Sequence, residues 1–94
     1  MNFFEKQFAN DIVDLQKNGV VVEKGFKANV QKEKITIYRC DIKVEEGDFI
    51  IRHLPNGLTE KYIVLDRGFN AGVKNVIPPY YQCSVKKEIN LNSN

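Results

Sequence analysis

One histidine, two serines and two cysteines are the chain's stock of side chains for the commonest nucleophilic and acid–base chemistry. A general base needs a nucleophile or an acid within hydrogen-bond reach. His53 has no such neighbour in sequence, and the serines, Ser84 and Ser93, are remote from it. It reads as half of a surface cross-strand pair with Glu60. Cys40 and Cys83 form no CxxC pair and no histidine cluster accompanies them, which argues against zinc. Both read as reduced thiols acting as small, buried apolar side chains. The run Glu45-Glu46-Gly47-Asp48 has carboxylates for a cation but not the spacing of a calcium loop, so it reads as a solvated turn. Gly68 to Lys74 holds two glycines and a lysine without phosphate-loop spacing. The expectation is a protein that is not an enzyme and that needs neither metal nor cofactor.

The elements that would carry these residues are mostly strands. Asn18-Gly19 and Asn56-Gly57 are hairpin signals, because Asn and Gly tolerate the positive φ of a type I′ turn. The first is flanked by Ile12-Val13-Asp14-Leu15 and Val20-Val21-Val22, the second by Phe49-Ile50-Ile51 and Tyr62-Ile63-Val64-Leu65. With Asn56 and Gly57 as a two-residue turn, Ile50 faces Ile63 as a buried pair, and His53 faces Glu60. A three-residue loop starting at Pro55 shifts every pair by one. Residues 26–31 and 34–39 read as two more strands around a polar turn, and 80–87 as a last one. In that last strand Tyr81, Cys83 and Val85 alternate with Tyr80, Gln82 and Ser84. Phe3, Phe4 and Phe8 have rough helical spacing, and Asn2 with Glu5 fits a capping box, so a short helix is expected over 2–9. One longer helix over 2–17 is the alternative. The hairpin is preferred because Val20-Val21-Val22 needs a strand partner.

These elements add up to a mainly β fold: a small six-stranded meander, closed or partly open as a barrel, with a short N-terminal helix. The expected layout is a single domain over 1–94, with a helical segment at 1–10, the barrel at 11–88 and a frayed polar tail at 89–94. A composition of 43% hydrophobic and 28% charged residues excludes a largely disordered chain. The formal charge of +2 says less than its distribution. Cations crowd residues 24–39 and anions crowd 41–60, which suits either solvated segments or complementary neighbouring copies. No signal peptide or membrane span is evident, so a cytosolic setting is expected.

One segment exceeds what a compact barrel needs. Residues 66–79 form a long link containing Gly68, Gly72, Pro78 and Pro79. Its Phe69, Lys74, Val76 and Ile77 are the candidate partner-binding residues. Either they dock a partner or they fold back to plug one end of the barrel. Lys27, Lys32 and Lys34 are candidates for phosphate contact, and Tyr38, Tyr80 and Tyr81 for stacking on bases, as in small single-strand-binding barrels.

The acidic turn with Gly47-Asp48, the apolar strand from Phe49 and the returning Tyr62-Ile63-Val64 resemble small tail-proximal proteins of phages and prophages. The likeness is to the head-closure, or stopper, type of head–tail connector and spans residues 26–88. The stretch from Leu54-Pro55-Asn56-Gly57-Leu58 to Ile77-Pro78-Pro79-Tyr80-Tyr81-Gln82 also resembles small uncharacterised proteins of mobile elements. The resemblance implies a virion structural protein assembled in the bacterial cytoplasm. Its partners would be copies of itself in a ring, a portal adaptor and the tail, with DNA passing non-specifically by Lys27, Lys32 and Lys34. Two alternatives stand beside it: a small inhibitor or regulator of a host or defence protein, and a nucleic-acid-binding barrel.

Overall fold

The computed structural model describes residues 3–89. Its elements are α1 (Phe3–Phe8), β1 (Asp11–Lys17), β2 (Val20–Val30), β3 (Lys34–Ile37), β4 (Phe49–His53), β5 (Thr59–Asp66), β6 (Phe69–Asn70) and β7 (Tyr80–Glu88). All strand pairs are antiparallel. The order around the sheet is β3-β2-β1-β4-β5-β7, and β3 pairs β7 to close the ring. The expected six-stranded barrel is therefore closed, which leaves no long open edge. The expected Asn2 cap lies outside the described residues, as does the tail beyond Ile89.

Among the six barrel strands, consecutive ones are neighbours except at one place. From β3 the chain crosses to β4, which lies beside β1, giving the 4-1-2-3 order of a Greek key. The crossing link, residues 38–48, carries Ile42 and Val44 into the core, 6% and 1% exposed. Tyr81 fixes it there, its hydroxyl donating to the Ile42 carbonyl at 2.8 Å. The link takes over the chain at Tyr38, so β3 ends two residues before the expected Arg39.

β2 is one strand where two were expected. It accommodates a bulge in which Lys24 and Gly25 oppose the single residue Asp14. Gly25 has φ 67°, which turns its N–H onto the Asp14 carboxylate at 2.8 Å. Asn18 and Gly19 both have positive φ, as the type I′ turn requires.

The second hairpin departs from the two-residue turn. Leu54 N–H donates to the Leu58 carbonyl at 2.9 Å and Gly57 N–H to the Leu54 carbonyl at 3.0 Å, enclosing the three residues Pro55, Asn56 and Gly57. Pro55 decides this. In a two-residue turn it would flank the loop opposite Leu58, where its N–H is needed for the ladder, and proline has none. The pairing moves by one: Ile50 faces Tyr62, Phe49 faces Ile63 and His53 faces Thr59. A slip of one exchanges the faces of a strand. Tyr62 and Val64 thus enter the core, and Ile63 turns out of it. Both the Ile50–Ile63 pair and the His53–Glu60 pair are corrected accordingly.

In β7 the alternation is as expected, with Tyr81, Cys83 and Val85 buried. They meet Val13, Leu15, Ala28, Ile35 and Ile50 in one cluster. Burial lifts the Cys83 thiol to about 12, so it stays protonated and inert. Cys40, by contrast, is exposed, because it lies on the crossing link and not in a strand.

Candidate functional site

The barrel's two ends are finished differently. Ile42 and Val44 fill the end where β3 stops and β4 begins. At the other end the inward-facing positions of the strands become charged. Arg52 bridges Asp11 at 2.9 Å and Glu60 at 3.0 Å, and Lys87 reaches Glu60 at 2.8 Å. The Tyr62 hydroxyl also donates to Glu60, at 2.9 Å. Hydrogen bonds from Lys87, Tyr62 and Arg52 hold the Glu60 carboxyl down at about 2.

That depression predicts a pH effect. Glu60 ionises more readily in the fold than in the unfolded chain, so its stabilisation is complete above about pH 4.5 and fades as pH falls toward 2. Denaturant titrations should show about 1 kcal/mol of this contribution gone by pH 3, since the half-exposed Lys87 partner is screened by solvent. Glu60→Gln should flatten that part of the profile. An equally steep loss in the variant would mean that other carboxylates carry the acid sensitivity.

The acidic turn is not merely solvated. Lys17 reaches into it, 2.9 Å from Glu45, and also pairs with the buried Asp48. The cation this turn attracts is the chain's own ammonium group. The rest of the acidic block is similarly engaged, Asp41 by Arg39 and Glu46 by Arg67. The basic block differs: Lys27, Lys32 and Lys34 make no ion pair with any described residue. They lie on β2, on the β2–β3 turn and on β3, facing outward from the barrel wall.

His53 has a partner that sequence proximity does not suggest. Its Nε2 lies 2.8 Å from Asp14 Oδ2, and Asp14 is only 5% exposed. Burial opposes ionisation of Asp14, but the hydrogen bonds from His53 and the Gly25 amide outweigh it and lower its pKa. The pair ties β4 to the β1–β2 bulge.

Residues 66–79 are ordered by local hydrogen bonds. β6 continues along the edge of β7 that β5 uses, with Phe69 opposite Tyr81. Val73 and Ile77 then exchange N–H donors at 2.8 Å each, closing a turn around Lys74, Asn75 and Val76. Phe69, Val73 and Val76 are 50%, 53% and 66% exposed. Lys74 is exposed and Ile77 half-buried. The segment does not plug the barrel, since Ile42 and Val44 do so. Phe69 packs edge-on against Tyr81, with ring centroids 5.1 Å apart.

A second cluster joins elements distant in sequence. Tyr38 lies 6.1 Å from Tyr80, 6.3 Å from Phe4 and 6.4 Å from Phe8, ring centroid to centroid. Burial, with a smaller contribution from Tyr80, raises the Tyr38 hydroxyl pKa. Between these rings and Ile77 is a shallow pocket of about 270 Å³, also lined by Thr36 and Gln82. Of the three tyrosines expected to stack on bases, Tyr81 is instead in the core at 7% exposure. Phe4, Phe8, Thr36 and Gln82 were not among the expected site residues. The only local signal for them is the four-residue spacing of the phenylalanines and the period of two in β7.

Among the described residues no group of three or more His, Cys, Asp or Glu side chains is placed to hold a metal ion, and no described helix is long and apolar enough to cross a membrane. No protein-family model, no curated protein and no solved structure matches the chain.

Proposed function

We propose that this barrel is a non-enzymatic assembly module that docks to other protein subunits, in the manner of the phage head–tail connectors its sequence resembles. Its partners would be copies of itself and neighbouring virion proteins, with Lys27, Lys32 and Lys34 turned toward passing DNA. The observation that carries the reading is the 66–79 segment. It presents Phe69 on β6 and Val73 and Val76 on a hydrogen-bonded turn, and none of the three belongs to the core. A preformed apolar turn costs little entropy to dock, which is where small interfaces gain affinity.

The test is association measured by light scattering, with Phe69→Ala and Val76→Asp beside the wild type. The wild type should exceed its monomer mass of 10.8 kDa as concentration rises. Phe69→Ala should weaken association by about 1–3 kcal/mol. Its cost to stability should be about 1 kcal/mol, the worth of one edge-on aromatic contact. Val76→Asp should abolish association without unfolding the chain. Association unchanged in both variants would sink the docking role of this segment.

A further inference from the structure

The outer wall of β2, β3 and β7 has a graded chemistry that a protein-docking turn does not explain. Along these strands the outward positions fall into rows about 7 Å apart. The first row holds Lys27, Tyr38 and Tyr80, with Phe4 and Phe8 laid over Tyr38 by α1. The second holds Asn29, Thr36 and Gln82, where Thr36 and Gln82 pair across the strands. The third holds Lys34 opposite Ser84. Lys86 follows on β7, and it lines with Lys32 and Ser84 a second groove beyond the third row.

We propose that this wall binds single-stranded nucleic acid. One base enters the pocket between the Phe4 and Phe8 rings and Ile77, and a neighbouring base stacks on Tyr80. The phosphates run past Lys34 toward Lys32 and Lys86. Four features favour this occupant over a protein. The pocket, about 270 Å³, suits one ring system and falls below the ~300–1,000 Å³ of larger ligand sites. Its lining includes Thr36 and the exposed amide side chain of Gln82, which can meet a base edge. Lys27, Lys32, Lys34 and Lys86 make no ion pair with described residues, while the anions of the 41–60 block are each paired elsewhere. Of the carboxylates near the wall, Asp66 accepts from the Gly68 N–H at 2.8 Å, while Glu33, between Lys32 and Lys34, and Glu88, beyond Lys86, still leave the lysines in excess. Stacked rings beside uncompensated lysines are how sequence-tolerant single-strand binders work.

The proposal does not depend on the docking role of residues 69–76, and its test uses a different readout. Fluorescence anisotropy with labelled oligothymidylate and oligouridylate of about 12 nucleotides, at about 50 mM salt, measures binding directly. Both should bind, and the ratio of the two affinities tells DNA from RNA preference. Tyr80→Ala should weaken binding roughly 10-fold, with Tyr80→Phe close to wild type because the ring face is kept. Lys34→Ala should lower the slope of log affinity against log salt by about 0.7. Circular dichroism shows that each variant is folded. No binding by the folded wild type overturns the proposal. So does binding that responds to the lysine but not to Tyr80→Ala, which would mean charge attraction alone. A Tyr80→Ala variant that binds oligonucleotide normally but loses self-association would assign the wall to a protein partner.

Discussion

Ile50→Ala should destabilise the protein by about 2–5 kcal/mol, and Ile63→Ala by less than about 1.5 kcal/mol. The difference follows from one residue of register. Ile50 is fully buried and faces Tyr62, while Ile63 is turned to the outer side, opposite Phe49. Truncating Ile50 leaves a cavity among Leu15, Tyr62 and Val64, which the closed wall cannot collapse to fill. Truncating Ile63 removes a half-exposed contact that water replaces. In a domain of this size each kcal/mol moves the melting temperature by about 4–8 °C, so thermal scans separate the two variants readily. Equal losses would mean that Asn56 and Gly57 form a two-residue turn after all and that Ile63 is inside.

That hairpin shows how far sequence reaches. Its existence and location are written in Asn56-Gly57 and the flanking apolar runs, which are local signals. Its register depends on Pro55 lacking an N–H, also local, yet the two possible loops differ by one residue and only the ladder distinguishes them. The alternation in β7 is legible because one face is core and the other solvent. The crossing link is not, although Ile42 and Val44 alternate with Asp41, Lys43 and Glu45 as a strand would. What makes those two residues internal is the open end of the barrel above them, a property of the whole ring. The His53–Asp14 pair has the same character. It joins residues 39 apart and needs the Gly25 bulge to bury the carboxylate.

The candidate surfaces divide along the same line. Phe69 and Val76 stand out because the segment between β5 and β7 is longer than a turn requires, and the chain alone shows that. The aromatic wall needs three separate stretches, around residues 4–8, 36–38 and 77–82, brought together by β3–β7 closure and by α1 on β2. Asn29 secures that helix by donating to the Phe8 carbonyl at 3.1 Å. Charge patterning was legible as blocks, but its meaning was not. The acidic block is consumed by Lys17, Arg39, Arg52, Arg67 and Lys87, while Lys27, Lys32 and Lys34 of the basic block form an ion pair with no described residue.

Gly68→Ala should cost at least about 3 kcal/mol, and Gly57→Ala only about 1 kcal/mol. Both glycines have positive φ, at 54° and 88°, so both replacements carry the conformational penalty of a left-handed residue. Space separates them. A Cβ at Gly57 meets nothing within 4 Å, whereas one at Gly68 comes 2.2 Å from the Gln82 carbonyl oxygen. That oxygen is backbone, in a strand pinned on one side by β3 and on the other by β5, so it cannot step aside. Gly68 also accepts the Gln82 N–H at 3.0 Å, the bond that carries the β5 edge past its bulge into β6. The alanine must push β6 off β7, taking Phe69 from Tyr81 and the 73–77 turn from its place beside Tyr80. Equilibrium unfolding of the two variants gives the steric share by difference. If Gly68→Ala is no worse than Gly57→Ala, β6 is free to lift away at little cost. The apolar turn would then be a loose appendage, and the preformed docking surface proposed for it would be lost.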